Sequence, residues 1–104
     1  MQNIDPNIIT TESHTVSAGY VIDGIDYGSR LDVDGYTLAE IISDMVDFWN
    51  CADERASEFE VDRIEYTDGD AEVTISGDVF TSDADGAHTT DTNRIDVIIT
   101  ACAN

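Results

Sequence analysis

Apolar and polar residues alternate with a period of two after His14, and this pattern predicts a β-strand. The inward positions of this strand are Val16, Ala18, Tyr20 and Ile22. Asp23-Gly24 follows and predicts a two-residue type I′ turn, because Asp and Gly tolerate positive φ angles. We therefore expect a hairpin whose second strand runs from Ile25 to about Val33.

A helix is predicted to begin after Thr37. The segment Thr37-Leu38-Ala39-Glu40 has the spacing of a capping box, in which each of the two outer side chains accepts a hydrogen bond from the backbone of the other. At about 100° per residue, apolar residues then fall on one side of the helix. They are Leu38, Ile41, Ile42, Met45, Trp49, Ala52 and Ala56. This periodicity predicts a helix that continues to about Ala56 and packs on an apolar surface.

Two further strands are predicted after the helix. The segment 59–66 has the composition of a strand, but its inward positions change phase after Val61, which predicts a bulge near Arg63. Asp68-Gly69 supplies a second tight turn, and alternation over residues 71–79 predicts the fourth strand.

The polar segment Thr81–Asn93, centred on Asp83-Ala84-Asp85-Gly86, is expected to connect the fourth strand to a fifth that contains Ile95, Val97 and Ile99. The element order ββαβββ with short connections favours an α+β fold. We expect an antiparallel sheet of four to five strands with one amphipathic helix packed on one face. The 104 residues are expected to form a single domain, in which residues 1–12 are a loosely held arm.

The net charge is the strongest indication of function in this sequence. The chain has 23 Asp and Glu residues against four Arg and no Lys, which gives a formal net charge of −19. Such a surface repels nucleic-acid phosphates and anionic lipids, so direct binding to nucleic acid or to a membrane surface is not expected. The partner it attracts is a basic protein surface.

The amino-terminal segment gives no sign of export. Residues 1–15 include Asp5 and Glu12 but no basic residue, and no apolar run in the chain exceeds three residues. We therefore expect a cytoplasmic protein. Cys51 and Cys102 are too few for a disulfide framework and are interpreted as reduced, with a single bridge between them as the alternative.

Catalytic and metal-binding patterns are weak. Asp32-Val33-Asp34-Gly35 and Asp83-Ala84-Asp85-Gly86 resemble part of an EF-hand loop, but the first and last ligand positions hold Arg30 and Ile41, or Thr81 and Thr92. Turn chemistry explains both segments better than calcium binding at Asp83, Asp85 and Asp91. His14 and His88 do not lie at zinc-ligand spacing with the cysteines. We expect no metal, no cofactor and no enzymatic activity.

Four aromatic residues raise the question of a ligand pocket. They are Tyr20, Phe48, Trp49 and Tyr66. Large aromatic side chains dominate the interiors of small domains, so we interpret these four as core residues.

The predicted helix carries an acidic stripe opposite its apolar side. Glu40, Asp44, Asp47 and Glu54 fall within about 80° of one another on the helical wheel. Like charges at this spacing cost a few tenths of a kcal/mol per pair, and the chain has no Lys to relieve them. The carboxylates repeat every ~5 to 10 Å, the same order as the spacing of phosphates along DNA. We therefore expect these residues, with Asp83 and Asp85, to bind a basic DNA-binding surface. Acidic turns at Asp23, Asp26, Asp32, Asp34, Asp68 and Asp70 extend the possible contact surface.

In size, charge and element order the chain resembles the small acidic proteins of bacteriophages that mimic DNA, in particular anti-CRISPR proteins. That class includes inhibitors of restriction enzymes, uracil-DNA glycosylase and CRISPR effectors. The resemblance implies a stoichiometric inhibitor that occupies the DNA-binding site of a CRISPR effector or another host defence nuclease.

Two alternatives remain. Proteins of extreme halophiles also combine many Asp with few Lys, and here 16 Asp exceed seven Glu. In that case the charge would keep a small structural or protein-interaction domain hydrated in brine. The high count of 12 Ile favours the first interpretation, because halophile proteins prefer Val and Ala. A structural or assembly protein is the other alternative.

Overall fold

The computed structural model describes residues 6–30, 33 and 35–104, so that Asp5, Asp32 and Asp34 lie outside the described residues. In chain order the elements are β1 (His14–Ile22), β2 (Ile25–Arg30), α1 (Leu38–Asn50), β3 (Glu60–Thr67), β4 (Asp70–Ser82) and β5 (His88–Ala103). The strands form one antiparallel sheet in the order β2-β1-β5-β4-β3. The predicted α+β fold with five strands and one helix is confirmed.

Both predicted Asp-Gly turns are present. Asp23 and Gly24 have φ angles of 49° and 84°, and Asp68 and Gly69 have φ angles of 50° and 90°. Each pair joins two neighbouring antiparallel strands without further residues, as a type I′ turn requires. The bulge predicted near Arg63 is also confirmed, because the β3–β4 register shifts between Val61 and Arg63.

The apolar side chains of the strands line up on one face of the sheet, beneath α1. Cross-strand pairing places Ala18, Ile99, Val73 and Ile64 in one row across four strands. Parallel rows add Val16, Ala71, Ala101, Ile75, Val97 and Ile95 to the same face. Together with Leu38 and Ile41 of α1 the buried residues of these rows form one cluster, and the half-buried Ala18 and Ile64 pack against it. No helix of the described residues covers the opposite face of the sheet, which is called the open face below.

Contacts at the two ends of α1 show that it runs from the start of β1 toward the hairpin end of β4. Near its C-terminal end, Trp49 stacks on Phe59 with ring centroids 5.2 Å apart, and the Phe59 ring lies against Gly77 of β4. A Cβ atom at Gly77 would stand 2.5 Å from Cγ of Phe59, so this strand position needs glycine for a close approach. At the other end of α1, Thr37 pairs with Thr10, just before β1 begins.

The helix is shorter than the periodicity predicts, because α1 ends at Asn50 and not near Ala56. The Asn50 side-chain amide donates to the carbonyl of Phe59 at 3.0 Å and its oxygen accepts from the Phe59 N–H at 2.6 Å. These two bonds fasten the helix end to the start of β3. The chain between them therefore turns back, and Ala56 instead donates its N–H to the carbonyl of Asp78 in β4.

Most of the segment Thr81–Asn93 is β-strand, whereas the sequence predicted only a polar connection between the fourth and fifth strands. Strands β4 and β5 continue through most of it, and their pairing extends to Ser82 and His88. The result is a two-stranded hairpin arm, residues 81–92, that extends beyond the part of the sheet covered by α1. The molecule is accordingly elongated, with principal extents of 47 × 22 × 21 Å.

The expectation that residues 1–12 form a loosely held arm fails from Ile9 onward; residues 1–5 lie outside the described part. Ile9 is 1% exposed and belongs to the core cluster. Its carbonyl accepts a hydrogen bond from Leu38 N–H at 2.8 Å, and Thr11 N–H donates to the carbonyl of Tyr36. The segment thus covers the start of α1.

Candidate functional site

Asp44 and Asp47 lie on the exposed side of α1, as predicted. Within the described residues neither carboxylate has a hydrogen bond or ion pair. Asp47 lies in the last turn, which contains no basic residue, so its charge is unfavourable beside the negative end of the helix dipole. The two side chains therefore oppose the local electrostatics of the helix that carries them.

Glu40 has a different role from its two neighbours in the stripe, because it completes the predicted capping box. Its Oε1 accepts from the N–H groups of Thr37 at 2.9 Å and Tyr36 at 3.2 Å, while Thr37 Oγ1 accepts from Glu40 N–H at 3.2 Å. These backbone hydrogen bonds, with Thr37 first, lower the pKa of Glu40 below its ordinary value of 4.5. The carboxylate is already engaged, so a partner gains less from it than from Asp44.

Glu54 does not lie on the helix, and its predicted position on the stripe is wrong. It belongs to the turn after α1, where its carbonyl accepts from Phe80 N–H at 2.7 Å and fastens that turn to β4. Its side chain is exposed. Cys51 directly follows the last residue of α1 and is exposed, and both Cys51 and Cys102 are free thiols, as interpreted from the sequence.

Asp83 and Asp85 lie at the tip of the hairpin arm. Oδ1 of Asp83 accepts from the N–H groups of Asp85 at 2.9 Å and Ala87 at 3.0 Å. This is the turn chemistry expected from the sequence. Among the described residues, no group of three or more His, Cys, Asp or Glu side chains is arranged to hold a metal ion.

The six predicted contact residues are therefore divided among three elements and do not form one continuous stripe. Along the direction in which α1 runs, the order is Glu40, Asp44 and Asp47, then Glu54 in the following turn, then Asp83 and Asp85 at the tip. The structure brings Asp44 and Asp47 together on one surface, which is called the helix site below.

A second acidic surface, on the open face, was missed by sequence reasoning. It contains Glu60, Glu65, Glu72, Asp78 and Asp96. Glu65 and Glu72 are directly opposed across β3 and β4, an arrangement that like charges disfavour. Arg63 pairs with Glu65 at 3.1 Å and Arg94 with Asp96 at 3.1 Å, so this surface is partly neutralised. The sequence did contain a signal for this surface, because these acidic residues occupy the polar positions of the alternating strands.

Aromatic residues border the helix site. Trp49 contacts Tyr20 and Phe48 edge-on, with ring centroids 5.6 and 5.8 Å apart. Phe48 is 65% exposed and Tyr20 is 37% exposed, so the prediction that both are core residues is wrong. Trp49 and Tyr66 are half-buried against the core. Among the described residues, Nε1 of Trp49 is a buried polar atom without a hydrogen-bond partner.

Three acidic residues lie outside the described part, and none of the other 20 is buried. Ion pairs among the described residues involve only Glu58, Glu65 and Asp96. The negative charge therefore stands on the surface with little compensation from the chain itself.

No protein-family model, curated protein or solved structure matches this chain. The described residues contain no helix with the length and apolar character needed to cross a bilayer.

Proposed function

We propose that this protein is a non-enzymatic inhibitor that mimics the charge of DNA. It binds the basic DNA-binding site of a CRISPR effector or another host defence nuclease, in the cytoplasm of the host cell. The observation that carries this proposal is the helix site, where Asp44 and Asp47 remain exposed and unpaired among the described residues. An Arg- or Lys-rich groove would supply the counter-charges that the chain lacks.

Binding to a basic groove would relieve the repulsion between neighbouring carboxylates on α1. Asp44 lies one helical turn from Glu40 and about 4.5 Å along the axis from Asp47, so three carboxylates repel one another on α1. A cationic groove turns this repulsion into attraction. Counterions held near the acidic surface would be released, so binding should weaken steeply as salt is raised.

The test uses charge reversal at the helix site. Immobilised wild-type protein is exposed to a bacterial lysate, and the retained nucleic-acid enzymes are challenged with duplex DNA. We expect DNA to displace them, because both ligands occupy the same groove. Asp44→Lys with Asp47→Lys should reduce retention at least tenfold, since removing one partner of a buried charge pair at an interface costs about 2 kcal/mol or more.

A matched control separates local contact from total charge. Glu60→Lys with Glu72→Lys changes the net charge by the same amount on the open face, where neither side chain has an ion pair among the described residues. This variant should retain most of the binding. Equal reductions in both variants, or retained proteins that DNA does not displace, would contradict the proposal.

A halophilic small domain is the second candidate, and the open face favours it. Acidic residues lie on the open face, as in the pair Glu65 and Glu72, as well as on α1, and this distribution resembles a general hydration coat more than a single contact surface. The two candidates differ in the salt concentration at which the chain must be folded, because a halophilic domain works in brine and an inhibitor in an ordinary host cell does not.

A further inference from the structure

Phe48 is an exposed aromatic side chain at the border of the helix site. It is not part of the buried core, so packing does not explain why an aromatic residue stands here. Its 65% exposure is among the highest of the large apolar residues described. On the helical wheel it lies about 40° from Asp44 and one turn after it. Side chains with this spacing have Cβ atoms about 5 to 6 Å apart. A single ligand group can therefore contact both.

The ring is held in a defined position. Phe48 meets the Trp49 ring edge-on at 5.8 Å and 86°, and Trp49 is in turn fixed by the stacked Phe59 and by Tyr20. The exposed ring thus lies one helical turn from an unpaired carboxylate. Only a planar cation can stack on such a ring while donating two hydrogen bonds to the carboxylate, and guanidinium has this geometry.

We propose that Asp44 and Phe48 form a binding site for an arginine side chain of the partner. The inference rests on the proposed function and specifies its chemistry: the basic groove contacts this protein through arginine in preference to lysine. A lysine ammonium is a compact and strongly hydrated charge that gains less from the ring. Charge complementarity also argues against a second copy of the chain as the occupant, because each copy carries a net charge of −19.

The experiment compares two synthetic peptides, nona-arginine and nona-lysine, which have equal length and charge. Trp49 is the only tryptophan of the chain, so its fluorescence reports binding beside Phe48 directly. We expect the wild-type protein to bind nona-arginine more tightly. Phe48→Leu should weaken nona-arginine binding about two- to fivefold and leave nona-lysine binding unchanged, because leucine keeps the apolar contact but lacks the ring face.

Two further variants complete the design. Phe48→Trp should keep or increase the preference for arginine, since tryptophan is the strongest aromatic partner of a cation. Its affinities are measured by titration calorimetry, because this variant has two tryptophans. Tyr36→Ala removes an exposed aromatic side chain at the opposite end of α1 and should change neither affinity. Circular dichroism confirms that each variant is folded.

The possible failures are distinguishable. Equal binding of both peptides by the wild-type protein, or an equal weakening of both in Phe48→Leu, would overturn the arginine site while leaving charge mimicry intact. Binding of neither peptide at low salt would count against the proposed function itself. A dimer in sedimentation experiments that Phe48→Leu dissociates would make this surface a self-interface and would also overturn the proposal.

Discussion

Glu40 belongs to two sequence patterns that predict different roles for its side chain. Its place on the acidic stripe predicted a partner contact, while its spacing from Thr37 predicted a capping box. The structure contains the second arrangement, with Glu40 Oε1 bonded to the Thr37 and Tyr36 backbones. Local spacing over three residues was sufficient to predict this bond, because both partners belong to the same helix turn.

The lowered pKa of Glu40 makes its contribution to stability dependent on pH. A carboxylate whose pKa is lower in the folded state stabilises the fold above its unfolded pKa, and this contribution disappears as pH falls through the folded value. Glu40→Gln keeps a capping oxygen but cannot ionise. We expect the wild-type protein to be the more stable of the two at pH 7, and the difference to disappear as pH falls well below 4.5.

Urea unfolding over a series of pH values measures this difference. Glu72→Gln is the control for the removal of one negative charge, because the exposed Glu72 belongs to β4 and not to a helix cap. A wild-type advantage over Glu40→Gln that persists unchanged below about pH 3 would show that ionisation of Glu40 is not the cause.

At the scale of elements, the sequence predicted where structure begins better than where it ends. The Asp-Gly turns and the capping box depend on adjacent residues and were correct. The end of α1 depends on hydrogen bonds between Asn50 and Phe59, nine residues later, which no local pattern contains. Ala52 and Ala56 continued the apolar period without a Gly or Pro to stop it.

The hairpin arm escaped prediction for a related reason. Both of its faces are in contact with solvent, so residues 81–92 have no inward set and no alternation to detect. Thr residues suit exposed strands, and the Thr81 and Thr89 hydroxyls hydrogen-bond across the arm. The position of Glu54 could not be predicted because it follows from where the helix stops and how its end is fastened. The exposure of Phe48 could have been predicted, since the helical wheel places it about 40° from Asp44, on the polar side of α1.

The arm is expected to be dispensable for folding but not for partner binding. None of the buried core residues lies within 81–92. Replacing residues 81–91 by Asn-Gly would close β4 and β5 at the existing pair Phe80 and Thr92. We expect the free energy of unfolding to change by less than about 1 kcal/mol. Retention of DNA-displaceable enzymes should fall, because Asp83 and Asp85 are removed.

Urea unfolding and the lysate assay provide the two measurements for this shortened chain. A variant that carries Asp83→Asn and Asp85→Asn in the full-length arm separates charge from shape. Unchanged retention in both variants would remove the arm from the proposed contact surface.

For the whole molecule, the net charge of −19 sets the relation between stability and salt. Only three ion pairs offset this charge among the described residues, so the repulsion among the carboxylates is reduced mainly by screening from solvent ions. An inhibitor that acts in an ordinary host cell must be folded near 0.15 M salt, where the Debye length is about 8 Å. A halophilic domain needs molar salt to reach the same state.

A salt titration followed by circular dichroism distinguishes these cases. We expect the strand signal to be complete at about 0.15 M salt, with modest further stabilisation at higher concentrations. Absence of the strand signal at this concentration, with recovery only in molar salt, would favour the halophilic domain over the inhibitor. Stabilisation at high salt alone is expected of both the inhibitor and the halophilic domain, so it does not distinguish them.

The position of β5 in the sheet has a consequence for biosynthesis. Of the five strands this one is made last, yet it lies between β1 and β4 and supplies Ile95, Val97, Ile99 and Ala101 to the core. While the ribosome still holds residues 88–103, the earlier strands have no central neighbour to pair with. The complete sheet should therefore form only after translation has passed this segment. Until then, repulsion between the acidic residues of neighbouring unfolded chains should oppose aggregation.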